Sequence, residues 1–124
     1  MKLRFLGKDS TPTNSPTLYA TDQDSYVVQG WIITETTTLT RLALPQGQSV
    51  VEIPPTLLAY LAVDGVWGSV TTLVPPIVGV TGRGHYIIQG TRITDSEVLG
   101  QMSIPEHESC VQVTRSAMLA LVGE

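Results

Sequence analysis

Few side chains in this chain have the chemistry for catalysis or metal binding. The two histidines are His85, in a turn, and His107, inside "PEHES" between Glu106 and Glu108. An imidazole flanked by carboxylates could shuttle a proton or ligate a metal, but a metal site needs further converging ligands that the sequence does not bring together. The plainer expectation is a solvated loop, and the matching place in the first half reads "PQGQS", with no histidine. "GKDST" around Lys8 has the look of the end of a phosphate-binding loop, yet the upstream glycine is missing and Asp9 stands where Ser or Thr is needed. Cys110 takes the place of a valine in an apolar stretch, which predicts a buried small hydrophobe and no nucleophile. Nothing resembles a nucleophile elbow. Catalytic residues, metal ligands and cofactor-binding residues are therefore all expected to be absent, and an enzyme ranks last among the functional readings.

What remains is a set suited to recognition: Tyr26, Gln29 and Trp31 in "SYVVQGW", Tyr86 and Gln89 in "HYIIQGT", and Lys8 with Asp9 near the start. Trp31 has no counterpart in the second stretch, where Thr91 stands opposite. The two stretches lie sixty residues apart, and the match extends without a gap from residues 16–61 to residues 76–121. Tyr26/Tyr86, Gln29/Gln89, Gly30/Gly90, Ile33/Ile93, Leu39/Leu99, Pro45/Pro105, Val51/Val111 and Leu61/Leu121 are identities. Apolar character persists where identity fails, as at Val28/Ile88 and Ile53/Val113. This pattern predicts an internal duplication, with unit one at residues 1–63 and unit two at 64–124. Two copies are too few for a solenoid, so a pair packed about a pseudo-twofold axis is expected.

Each unit reads as ββ(β)-α-β-α. Residues 18–21 and 78–81 are short strands, followed by polar turns, "DQDS" and "GRGH". Residues 26–33 and 86–93 are β-branched and aromatic and predict strands, each with a central glycine that marks a bulge or a close backbone approach. "TDSE" predicts a capped helix start in unit two, and three successive threonines predict a weaker helix in unit one. Further strands are expected at 49–53 and 109–113, and closing helices after Pro54-Pro55 and Thr114. Residues 69–74 are expected as the leading strand of unit two, matching residues 2–6. The predicted class is α+β with antiparallel sheets.

Composition limits the partners. With 42% apolar and 15% charged residues the chain can bury a core. A net charge of −4 without a basic run excludes a nucleic-acid backbone as direct partner. One cysteine excludes an internal disulfide. No stretch reads as a signal peptide or a membrane span, so a cytoplasmic protein without membrane contact is expected.

The pattern "RFLGKDS…SPTLYATD…SYVVQGW…VVEIP…LL" resembles a family of small actinobacterial proteins with "FLGKD…SPTLYATD…YVVQGW…VVEIP". The likeness covers residues 4 to 58. Unit two keeps "YIIQG", "ITDSEVL" and "VQV" but has "PPIVGVTG" for "SPTLYATD". Such proteins are often encoded near helix-turn-helix regulators. The resemblance therefore implies an accessory regulatory module whose partner is such a protein, and it carries over no catalytic residues. The first expectation is a non-catalytic interaction module; the alternative is a small-molecule-binding protein with a pocket between the units, lined by Tyr26, Trp31, Tyr86 and nearby glutamines. The polar segment 7–15 has no match in unit two and is expected to be a surface recognition loop containing Lys8 and Asp9. Assembly into a further homo-oligomer is left open.

Overall fold

Seven strands and three short α-helices make an α+β fold with one antiparallel sheet, in a computed structural model that describes residues 1–9 and 16–122. In the first half these are β1 (Leu3–Lys8), β2 (Thr17–Thr21), β3 (Ser25–Trp31), α1 (Thr36–Leu42), β4 (Gln48–Ile53) and a 3-10 helix, Pro55–Asp64. In the second they are β5 (Ile77–Val80), β6 (Tyr86–Arg92), α2 (Ser96–Leu99), β7 (Glu108–Thr114) and α3 (Arg115–Val122).

The halves exchange strands. β3 pairs along its whole length with β7, and β4 pairs with β6. Moving both partners by sixty carries one ladder onto the other: Tyr26 faces Val113 and Tyr86 faces Ile53, while Val27 faces Gln112 and Ile87 faces Glu52. The hairpins β2–β3 and β5–β6 flank these ladders. At the strand ends β3 also meets β4, Trp31 opposite Glu52, and β6 meets β7, Thr91 opposite Gln112. The pairings β3–β7–β6–β4–β3 thus close into a ring.

Closure brings backbones unusually near. A Cβ on Gly30 would lie 2.5 Å from the Glu52 carbonyl oxygen, and one on Gly90 would lie 2.5 Å from that of Gln112. Of the two expectations for these glycines, the close approach holds. The demand is for space, so no other residue fits without moving β4 or β7.

Alternation divides each strand. Tyr26 and Val28, Val51 and Ile53, Ile88, and Val111 and Val113 point into the central core, where Leu57 and Leu61 of the 3-10 helix and Met118 and Leu121 of α3 join them. Val27, Gln29, Val50, Ile87 and Cys110 are also buried, but on the opposite face, together with Thr38 of α1 and Val98 of α2.

Several sequence expectations need correction. Residues 69–74 form no strand; Pro75 and Pro76 lack the N–H groups that would extend pairing from β5, and only Val70 and Val74 pack on the core. The helix of the first half is the longer one. α2 stops after four residues at Gly100, whereas Thr40 occupies the matching place and α1 continues through it to Leu42. The cap of α2 is Asp95, which accepts from the Glu97 N–H at 2.8 Å, rather than Thr94. The supposed loop at 7–15 does not begin at Gly7. Gly7 and Lys8 belong to β1, and a Cβ on Gly7 would collide with the Tyr60 ring, so truncation from Gly7 would remove strand structure. Residues 10–15 of that expectation lie outside the described residues.

Asp64 ties the first half to the last helix. Its carboxylate accepts from the Tyr26 hydroxyl at 2.7 Å and from Arg115 at 2.8 Å, and it also pairs with Arg4. Burial would raise this carboxyl. The Tyr26 hydroxyl, Arg4 and Arg115 together hold it below its ordinary 3.8.

Two predictions follow from these contacts. Gly30→Ala and Gly90→Ala should each cost about 2–3 kcal/mol in urea unfolding through overpacking, while Gly82→Ala, with nothing within 4 Å, should cost well under 1 kcal/mol. Equal costs at all three would contradict the crossing. Asp64→Asn should lose roughly 1–3 kcal/mol at neutral pH. A carboxyl with a lowered folded value stabilises above its unfolded value and loses that contribution as pH falls through the folded one. The melting gap between native protein and variant should therefore be full at pH 7 and close below about 3.8. A gap that persists unchanged into acid would rule out this ion-pair role.

Candidate functional site

Trp31 ends β3 on the same side as Val27 and Gln29. Ring closure sets Glu52 of β4 on one flank of it and Glu108 of β7 on the other. Both acids are nearly buried, at 7% and 4% exposure, so each must be satisfied by donors.

The β5–β6 turn supplies the donors for Glu52. Gly84, at φ 77°, allows the tight reversal, and the Thr81 hydroxyl accepts from the N–H groups of Arg83 and His85 at 3.3 and 3.2 Å. Arg83 and His85 are thereby aimed at Glu52. Its Oε2 lies 2.9 Å from Arg83 Nη2, 2.7 Å from His85 Nδ1 and 3.4 Å from the Thr81 hydroxyl. An ionised carboxylate only accepts, so Nδ1 of His85 carries the proton and Nε2 is the basic nitrogen of the neutral ring. The imidazole also stacks on Trp31, centroids 4.9 Å apart and planes 26° off parallel. The Arg83 guanidinium carbon lies 5.9 Å from the Trp31 ring centroid, within cation–π reach.

Glu108 is held differently. Gln29 Nε2 donates to its Oε1 at 2.8 Å and to the Ser103 carbonyl at 3.1 Å. His107 Nε2 lies 3.4 Å from Glu108 Oε2, and the His107 carbonyl accepts from the Ile32 N–H at 2.9 Å.

These groups surround a cleft of about 470 Å³ lined by Trp31, Arg83, His85, His107, Asp9, Ile32 and Pro54. That volume suits a small molecule. Asp9 is fixed on the rim through Thr56, whose hydroxyl donates to Oδ2 at 2.6 Å. Both histidines, Asp9 and one guanidinium thus line one cleft, with Glu52 bonded to His85 and Glu108 beside His107. Among the described residues no group of three or more His, Cys, Asp or Glu is placed to hold a metal ion.

A second cleft, about 390 Å³, is lined by Gln48, Gln89, Gln112, Thr91, Thr114 and Pro76, among others. Of its lining, Thr91 and Thr114 stand sixty residues from Trp31 and Pro54 of the first. Around the two crossings, the positions sixty from Glu52, His85, Glu108 and Trp31 carry Gln112, Ser25, Gln48 and Thr91, with Ser25 outside the second cleft's lining. The contacts correspond as well. Gln112 Nε2 donates to the Ser25 hydroxyl at 2.8 Å, where the first cleft has Glu52 against His85. Gln48 Nε2 approaches the Thr91 hydroxyl at 3.4 Å.

Of the residues singled out in the sequence, the charged cleft gathers Trp31, Asp9, His85 and His107. Lys8 is exposed on β1 and offers only its carbonyl, to Tyr60 at 3.4 Å. Gln29 supports the cleft from below through Glu108. Tyr26 is fully buried and lines neither this cleft nor the second; burial and the Asp64 carboxylate push its phenol up. Tyr86 is half-buried against the core, and Gln89 belongs to the second cleft. Of the lining expected for a pocket between the units, Trp31 borders the first cleft and Gln89 the second, while Tyr26 and Tyr86 border neither. Sequence reasoning passed over Glu52 and Arg83 and set Glu108 aside as part of a solvated loop, although each marks a place where the two halves differ in charge. In "PEHES", Glu106 and His107 are exposed as expected for a loop, but Glu108 is buried in β7.

No protein-family model, curated protein or solved structure matches the chain. No described helix is long and apolar enough to cross a membrane.

Cys110 lies on β7 two residues from Glu108, and burial pushes its thiol up to about 11. It should remain protonated and closed to reagents at pH 8. An aromatic disulfide reagent should label it orders of magnitude more slowly in the native protein than in urea; rapid stoichiometric labelling of the native state would contradict this placement.

Proposed function

We propose that the chain is an internal duplication with pseudo-twofold symmetry and that the cleft beside one of its two matched strand crossings, the one at Gly30, binds a small polar molecule. The mapping of the β3–β7 ladder onto β6–β4 and the shared crossings at Gly30 and Gly90 support the duplication. The observation that carries the functional reading is the contrast between Glu52–His85 and Gln112–Ser25. One hydrogen-bonded pairing is kept at both crossings, but charge, imidazole and indole are present at only one. Core packing has no need of such a difference, because the uncharged pair satisfies the same backbone arrangement. In the charged cleft Trp31 offers a planar apolar surface, Arg83 and the imidazoles offer donors, and Asp9 offers an acceptor. A small planar molecule with at least one anionic or strongly accepting group matches that set.

A second reading, docking of a protein partner, is supported by Val63 and Trp67 near the end of the 3-10 helix. They are 63% and 68% exposed, and tryptophan is a frequent interface anchor. The helix-turn-helix partner implied by the family resemblance would belong to this surface rather than to the cleft.

Native mass spectrometry of protein purified from its own host tests the first reading. The native chain should carry a small non-covalent adduct that is lost in Trp31→Ala and kept in Trp67→Ala. A bare chain in every case, or an adduct indifferent to Trp31, would contradict it.

A further inference from the structure

The charged cleft is equipped for more than binding. Glu52 is locked by Arg83 and Thr81 and fixes the tautomer of His85, while the Trp31 stack fixes the plane of its ring. The His85 side chain keeps 22% exposure, so the ring lies within reach of water and ligand. Arg83 stands beside it with 71% of its side chain exposed and, with one guanidinium nitrogen on Glu52, has further N–H donors to offer. Among the described residues lining the cleft there is no Ser, Thr or Cys, and the base is assigned to act on water.

We infer that His85 is a general base oriented by Glu52, and that the cleft hydrolyses a small carboxylic ester. This rests on the binding reading above. Nε2 takes a proton from water as the water oxygen bonds to the ester carbonyl carbon. The carbonyl π pair moves to oxygen, and Arg83 stabilises that developing charge. When the tetrahedral species collapses, the C–O bond to the alcohol breaks, and the leaving oxygen receives the proton from His85. Ester and water become acid and alcohol, and the imidazole is restored. His85 and Arg83 are catalytic residues in this scheme; Glu52 is a positioning residue.

The test uses p-nitrophenyl acetate as probe on the full chain carrying Trp67→Phe, so that fluorescence reports Trp31 alone. The parent should release p-nitrophenolate with saturation, faster than an equal concentration of free imidazole. His85→Gln should lower kcat/KM by about 100-fold or more. In Glu52→Gln the amide donates toward Nδ1 and leaves the proton on Nε2, so the base is lost. That variant should lose kcat to a similar extent while KM and saturation of Trp31 fluorescence stay nearly unchanged. A merely structural Glu52 would instead shift melting and KM together. Should His85→Gln fail to fold, Glu52→Gln still carries the test. A parent no faster than these variants overturns the catalytic inference. If Trp31 fluorescence nevertheless saturates with the ester, binding stands and hydrolysis alone falls. If neither saturation nor turnover appears, the binding reading falls with it.

Discussion

At Gly30 and Gly90 one strand passes over another with room for a hydrogen and none for a methyl group. The remaining architecture follows from those two contacts. Because β4 can lie over Gly30, it leaves the first half and pairs with β6; because β7 can lie over Gly90, it pairs with β3. Each half then contributes a strand to the other's ladder, and neither can close its core alone. The side chains that fill the interior, Tyr26, Val28, Val51, Ile53, Ile88, Val111 and Val113, come from four strands of both halves. Asp64 and Arg115 fasten this arrangement from outside, joining the end of the 3-10 helix to the start of α3.

The same crossings create the cleft. The carbonyl nearest Gly30 is that of Glu52, so the approach that demands glycine also places the Glu52 side chain beside Trp31 on the outer face. At Gly90 the equivalent carbonyl is that of Gln112, beside Thr91. Backbone geometry therefore offers two similar sites, and side-chain identity distinguishes them. An amide against a hydroxyl is self-satisfied and neutral. A carboxylate shared by a guanidinium and an imidazole leaves an oriented ring nitrogen and unused donors next to an indole face. Burial of Glu52 and Glu108 is tolerable because each has charge-assisted or amide donors in place.

Much of this was legible in the chain. The spacing of sixty, the alternation in "SYVVQGW" and "YIIQG", the glycine within each, and the turns at Asp24 and Gly84 all report local or repeated constraints, and those two turn residues do take positive φ. Strand exchange was not legible, because a single copy of each motif pairs equally well within its own half on paper; only the steric fit at Gly30 against Glu52 decides it. The leading strand expected at 69–74 failed because apolar alternation does not register the break that Pro75 and Pro76 impose after it. Tyr26 and Gln29 drew attention through repetition, yet repetition marked packing and support. The cleft instead depends on positions where the repeat breaks: Trp31 against Thr91, Glu52 against Gln112, His85 against Ser25. His85 and Glu52 are thirty-three residues apart, and nothing short-range links them.

The central claim is that the two crossings share a frame and that only the one beside Trp31 forms a binding cleft. A crystallographic screen with small planar acids, amides and esters tests it most directly, because both clefts are sampled in one molecule. Bound fragments should concentrate against Trp31, with polar atoms on Arg83, His85 or His107, and should be rare between Gln48 and Ala117. Fragments that favour the glutamine-lined cleft, or that ignore both, would contradict the account.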